Sequence, residues 1–553
     1  MNTYDGINKA LTPEQKNGVN ICQQEVGNAW KSACKILLGG EIGELEQFED
    51  YLYRYIGHID EKNSVISGKP VTISGSEICD NGKIIENEEI GEYEQLLKGV
   101  KLDINSIKDI DSILEVVGEK LYYSGGITLG NSKYVQKSNR CVDSSFVYKS
   151  MDVYEGCKYV ALSDQARKCE YVFGVGLSGE NNFIIRGHEV WKDTRCFEAF
   201  RTYNASDCYF VANLEGCNNC MFSFNQRNKS NLIGNLQLSK DEYLKLKQKL
   251  VEDIRNILKE KKTIPGIVEI IAYPHNPLNK SPESMAASSK KTKTNIAPKE
   301  IEIAFQRVTE TILGKKLVNI IDYEKWLTKH SGKVIGVKSK ISDEVVYVPP
   351  LESFVAIKDS AIKEDEALEY GKKKVNMEEL DGLTPLNAGE KLKEIKLTTP
   401  EITVGETMNI VECSGYGVNT AHAFRGSFIY ADKCAAYSYF IRNSEYIFGS
   451  SLVFLSKYCI NCYHSQNLTR CFEVSDSTNC SDCYFCHNCE ALSNCMFCFN
   501  TKSKRYAIAN VEVGPEEYGK IKKLVLEGLA KRIETDRGLD IDIYNVGCWK
   551  KPG

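Results

Sequence analysis

Residues 459–506 cut into four units of twelve: CINCYHSQNLTR, CFEVSDSTNCSD, CYFCHNCEALSN and CMFCFNTKSKRY. Each opens on a short run of apolar, aromatic and cysteine residues and then turns polar, with Ser, Asn and Asp. Strand followed by turn at a fixed period predicts stacked strand–turn units, a parallel β-solenoid. The same register runs through 184–231 as IIRGHEVWKDTR, CFEAFRTYNASD, CYFVANLEGCNN and CMFSFNQRNKSN. CKYVALSDQARK from Cys157 and CEYVFGVGLSGE from Cys169 continue it backwards.

The two blocks match each other. The stretch from Thr194 lies over the stretch from Thr469 at a constant offset, without a gap. Cys196, Cys208 and Cys220 thereby fall on Cys471, Cys483 and Cys495, and EYVFG at 170–174 falls on EYIFG at 445–449. Each block runs into a helix. The first has Ser239 and Glu242 as a capping box, and the second has Pro515 suited to the first helical position. FEDYLYRYIG and IDYEKWLTKHSG extend the likeness more weakly towards the front of each half.

The expected fold is mainly β: two tandem parallel β-helix (β-solenoid) domains from an internal duplication, each with an α/β head and a closing helix. The expected order is a helical then α/β head at 1–135, β-solenoid 1 at 136–235, and a closing helix and strand at 236–274. A polar linker at 275–300, head 2 at 301–410, β-solenoid 2 at 411–510, and a closing helix and tail at 511–553 follow. The closing helices are expected to cap exposed solenoid ends.

Twelve residues span roughly 40 Å of extended chain, and a loop that thin holds Cys, Ser and Thr inside but not the many Phe and Tyr. Two twelve-residue units are therefore expected per coil.

Composition excludes some classes. The chain has 553 residues with a net charge of −5, so no global field draws it to nucleic acid or a membrane surface. The N-terminal residues lack a signal-peptide pattern, and no apolar run reaches the length of a transmembrane helix. A cytoplasmic location with free thiols follows as the expectation for the 22 cysteines. Asn-x-Ser/Thr matches at Asn204, Asn228, Asn467 and Asn479 then carry no meaning.

The densest cysteine run is NCSDCYFCHNCEALSNCMFCFN, 479–500. Cys459-x2-Cys462 precedes Cys483-x2-Cys486 by two units, which would place two thiol pairs on adjacent two-unit coils. Paired CxxC motifs are a zinc or iron–sulfur ligand pattern, with Cys489, Cys498, His464 and His487 as spare ligands nearby. Residues three apart on a straight strand face opposite ways, so such a pair chelates only if a corner falls within it. Cysteine is also among the most buried residue types, and the first block has Gly187, Ala199, Val211 and Ser223 at the fourth positions. Stacked core cysteines are thus expected at the opening positions, and any metal at the extra thiols of the second block.

Other motifs are weaker. GVGLSG, 174–179, matches a dinucleotide fingerprint, but ENNFIIRG after it is not helical as that motif requires. His188 has Glu189 beside it and no nucleophile, and HEVW is not HExxH. Lys290, Lys291 and Lys293 read as a solvated linker.

The segment NCMFCFNTKSKRYAIANVEVGPEEYGKI resembles the closing signature of Cys/Tyr-rich repeat proteins of uncultivated bacterial and archaeal lineages. The resemblance covers roughly 140–260 and 415–535. It implies a β-solenoid and no assigned activity. Many such relatives begin with a zinc-ribbon of paired CxxC motifs; here only the isolated Cys22 and Cys34 stand near the N-terminus.

The expected function is a non-enzymatic structural or interaction scaffold, with protein partners or self-assembly and no cofactor. The alternatives are a zinc- or iron–sulfur-binding protein centred on Cys459, Cys462, Cys483 and Cys486, and a carbohydrate-active β-helix enzyme, the last by fold analogy alone.

Overall fold

The computed structural model describes residues 13–75, 77–98, 103–275 and 296–549. The chain is mainly β, with large sheets dominated by parallel pairing. It divides into two compact units. One holds the described residues of Met1–Gly75, Gly125–Lys280 and Asp365–Thr398; the other holds those of Ser76–Ser124, Ser281–Glu364 and Thr399–Gly553. Neither unit is a contiguous stretch of chain. Most of the linker, with Lys290, Lys291 and Lys293, lies outside the described residues.

The strand register is twelve. In the first unit Val160 pairs with Val172, Val172 with Ile184 and Ile184 with Cys196, all in parallel. In the second, Cys459 pairs with Cys471, Val474 with Cys486 and Cys483 with Cys495. The two-unit coil is thereby corrected: one twelve-residue unit closes one full rung.

Backbone conformation explains this. Every third residue is left-handed: Arg195, Glu198, Arg201, Asn204 and Asp207 have φ of 55°, 54°, 52°, 53° and 56°. Four such bends per twelve residues return the chain to its starting edge, with three residues, about 10 Å, on each side. Inward positions therefore also recur every third residue. Cys196, Ala199, Ala205, Cys208, Val211, Leu214, Cys217 and Cys220 share one buried cluster. No aromatic residue belongs to it, as a lumen this narrow demands. Aromatic rings stand at outward corners instead. Tyr134, Phe146, Tyr159, Tyr171 and Phe183, all left-handed, stack with centroids 4.9, 4.9, 5.1 and 5.1 Å apart.

The polar residues of each unit are not all solvent turns. Many face inward and accept the backbone N–H of the residue twelve further on, a donor that the bend removes from the sheet ladder. Ser438 Oγ accepts from Ser450 N–H at 3.3 Å, and Ser450 Oγ from Cys462 N–H at 3.0 Å. Ser465 accepts from Ser477 and Ser477 from Cys489, at 3.0 and 3.1 Å. Asn181 and Asp193 do the same in the first unit, at 2.7 Å each.

Cys157 and Cys169 lie one side away from the Cys196 column. Lys158 pairs with Glu170, Glu170 with Asn182 and Asn182 with Thr194, so these cysteines stack below Asn181 and Asp193. The period of three makes both phases inward. They are joined as a disulfide, as are Cys79 and Cys548 within the second unit, which corrects the expectation that every thiol is free.

In the first unit, helix Pro13–Leu38 lies along the strands and the Tyr209 hydroxyl donates to Leu37 O at 2.8 Å. Helix Lys240–Lys261 begins at the Ser239–Glu242 capping box and packs on strand Ser230–Ile233. The segment after it, expected as a strand, is a helix over Ile267–Ala272. Its N-terminal Ile267 N–H is held by Glu198 at 2.9 Å. The last rung meets residues 371–398: Val375 N–H donates to Gly234 O at 3.0 Å and Asn225 Nδ2 to Leu397 O at 2.8 Å.

The second unit repeats these contacts with its own residues. Helix Lys299–Leu313 lies along the strands, with the Tyr484 hydroxyl donating to Ile312 O at 2.9 Å. Helix Pro515–Asp536 packs on strand Arg505–Ile508. Glu473 accepts the Ile543 N–H at 2.9 Å, and Asn500 Nδ2 donates to Tyr122 O at 2.7 Å. Among the described residues, no helix is long and apolar enough to cross a membrane.

Candidate functional site

The cysteine column of the second unit is the densest chemical feature. Left-handed residues fall within every CxxC there: Asn461, Asp482, Phe485, Asn488 and Phe497. Each motif thus contains the corner it needs, and both of its sulfurs face inward. Cys459, Cys462, Cys471, Cys480, Cys483, Cys486, Cys489, Cys495 and Cys498 belong to one buried cluster.

The arrangement differs from the one expected. Cys459 pairs with Cys471, and Val474 separates Cys462 from Cys486. The two CxxC pairs are two rungs apart, about 10 Å, so Cys459, Cys462, Cys483 and Cys486 do not form one tetrad. The expectation failed because it assigned two units to a coil where the backbone needs one. A different set shares one rung: Cys480, Cys483, Cys486 and Cys489, one from each side. Cys471 lies beneath Cys483, Cys495 lies above it, and Cys498 lies above Cys486.

The thiols of this column donate to backbone carbonyls. Cys480 Sγ donates to Thr478 O at 3.3 Å, and Cys489 Sγ to His487 O at 3.3 Å. Contacts with the Cys471, Cys480, Cys486 and Cys495 thiols, together with burial, push the Cys483 thiol well up. Burial raises Cys489 and Cys498 in the same way. Burial opposes ionisation of Cys486 too, but S–H donation from Cys483 and Cys498 outweighs it and brings that group down. Buried and bonded within the stack, these thiols form a cohesive network rather than a nucleophile exposed to substrate.

The spare ligands point elsewhere. His464 and His487 lie outside the lumen, between inward positions. His487 Nε2 accepts the Ser124 N–H at 3.1 Å, and its Nδ1 lies 2.8 Å from Ser475 Oγ and 3.3 Å from Asp476 Oδ2. Among the described residues, no group of three or more His, Cys, Asp or Glu is set to hold a metal ion.

In GVGLSG, Gly174 takes a left-handed corner and a Cβ on Gly179 would sit 2.1 Å from the Trp191 ring. The motif lies in strand Glu170–Gly179 and opens no helix. His188 is buried and kept neutral, first by burial and then by Arg186. Glu189 turns outward, where Tyr203 donates to it at 3.0 Å.

Sequence reading missed two buried carboxylates. Glu198 carries Arg186 at 3.0 Å, the Tyr51 hydroxyl at 2.5 Å and the Ile267 N–H. Glu473, its counterpart in the second block, bonds Asn461 at 2.8 Å and the Ile543 N–H. Burial raises both groups, and their partners oppose the shift. Each holds a returning segment against its rungs. The ungapped match of the two blocks, in which Glu198 falls on Glu473, was the available signal.

Comparison with family models, curated proteins and solved structures finds no match for this chain.

Proposed function

We propose that the protein is a structural or interaction scaffold built from two β-solenoids that arose by internal duplication. The observation that carries this reading is the recurrence of contacts at the constant offset between the blocks. Tyr209–Leu37 and Tyr484–Ile312 are equivalent, as are Asn225–Leu397 and Asn500–Tyr122. The ion pairs Arg195–Asp207 and Arg470–Asp482 match as well, at 2.6 and 2.7 Å. The lumen of each stack is filled by side chains that pack or satisfy its own backbone, which leaves the outer faces to meet partners. The resemblance to Cys/Tyr-rich repeat proteins agrees with this reading and adds no activity.

Metal content tests it. Protein purified without oxygen is expected to be colourless, free of stoichiometric zinc or iron, and unchanged in melting after chelator treatment. Stoichiometric metal that is lost in Cys483→Ser or Cys486→Ser would replace the scaffold reading with a metalloprotein.

A further inference from the structure

We propose that the ladder Tyr134–Phe146–Tyr159–Tyr171–Phe183 docks arginine side chains of a protein partner. This rests on the interaction-scaffold reading and names the chemistry of the partner.

The five rings lie on successive rungs, with interplanar angles of 12°, 6°, 29° and 29°. Tyr134 is 42% exposed and the other four rings are half-buried. Ring faces are covered by neighbouring rings, so the ladder offers its rims. Among the described residues, no Lys or Arg covers it.

The second unit shows what such a surface takes. There the equivalent column has only two adjacent rings, Tyr446 and Tyr458, stacked at 4.8 Å. The Arg307 guanidinium of helix Lys299–Leu313 lies across both, 5.6 and 5.7 Å from their centroids. The constant offset maps Tyr446 and Tyr458 onto Tyr171 and Phe183, and Arg307 onto Ser32. The Tyr209–Leu37 and Tyr484–Ile312 bonds hold the two helices in the same register, so this mapping is spatial as well as sequential. The first unit has therefore extended the aromatic column to five rings while placing a serine where the internal guanidinium would be.

Charge agrees. Glu25 and Glu170 lie near enough to Tyr159 to help raise its hydroxyl, after burial and Tyr171. Lys133 and Lys158 are exposed on strands of the ladder, beside Tyr134 and Tyr159. Selection then rests on shape: a planar, weakly hydrated guanidinium can lie across two ring rims at once, as Arg307 does, and a compact, strongly hydrated ammonium cannot.

The test uses the full chain and two synthetic peptides, acetyl-GRGRGRG-amide and acetyl-GKGKGKG-amide, followed by titration calorimetry. The arginine peptide is expected to bind about fivefold tighter than the lysine peptide, with Tyr171→Ser about fivefold weaker. Ser32→Arg, which leaves every ring in place, is expected to weaken arginine-peptide binding to a similar degree by supplying the cation internally. Circular dichroism checks that both variants fold. Equal binding of the two peptides, or no effect of Ser32→Arg in a folded protein, would overturn the proposal. So would tighter binding of cellohexaose or a single-stranded oligonucleotide, again lost with Tyr171→Ser. These failures leave the scaffold reading standing, because that reading is tested by metal content.

Discussion

Asp193 is an inward residue of the first stack, and its replacement by asparagine is expected to stabilise the protein above neutral pH. The carboxylate is fully buried. It accepts the Ala205 N–H at 2.7 Å and the Thr202 hydroxyl. Burial outweighs these bonds and raises the group from 3.8 to about 7. A raised acid holds its proton more tightly in the folded state than in the unfolded one. Its contribution to stability is therefore complete below about pH 4 and declines as pH rises towards 7. About three pH units at about 1.4 kcal/mol each set an upper bound of about 4 kcal/mol lost across that window. Asparagine keeps the acceptor for Ala205 and does not titrate. Asn181, one rung below, already plays this part, accepting the Asp193 N–H at 2.7 Å and donating to Val190 O at 2.8 Å. Urea unfolding at pH 5 to 8.5 should show Asp193→Asn gaining on the parent as pH rises, with other titrating groups cancelling in the difference. A pH-independent difference, or a loss that grows with pH, would refute the reasoning.

Four further outcomes follow from the same physics. Arg186→Met should cost about 3–5 kcal/mol, because it leaves Glu198 buried without its counter-ion, and denaturant midpoints measure the loss. Cys486→Val should cost under about 1.5 kcal/mol, since Val474 fills the same inward column one rung away; the same unfolding assay checks it, and a severe loss would show that the thiol network matters beyond packing. Proteolytic cutting at a site inserted in the 276–295 stretch should leave both fragments co-eluting under reducing conditions, because each compact unit contains residues from both. Asn225→Ala, at about 1–3 kcal/mol for the unpaired Leu397 carbonyl and lost Asn213 and Thr398 bonds, should loosen that association.

Cysteine spacing hid part of this. CFEAFRTYNASD carries small residues at every third place, Cys196, Ala199, Thr202 and Ala205, and that period was legible. Ordinary strands alternate with a period of two, so CxxC looked split between faces and the aromatic residues looked too large for a twelve-residue coil. A left-handed residue every third place changes both conclusions. That conformation is unfavourable for residues such as Phe210 and Arg201, at φ of 52° each, and local preference does not announce it. Stacking against the rungs above and below supplies the compensation, and it exists only once the rungs have formed.

By itself the sequence determined the twelve-residue repeat, the correspondence of the two blocks and the helix after each, because these are local or self-similar patterns. Tertiary structure decided that twelve residues close a rung and that Cys480, Cys483, Cys486 and Cys489 share one. It also decided that residues 76–124 join the rungs of the second block and 365–398 those of the first. Those choices depend on bonds such as Asn225–Leu397 and Asn500–Tyr122, between residues 172 and 378 positions apart. No local pattern encodes them; they form where a terminal rung leaves polar groups that only a distant segment satisfies.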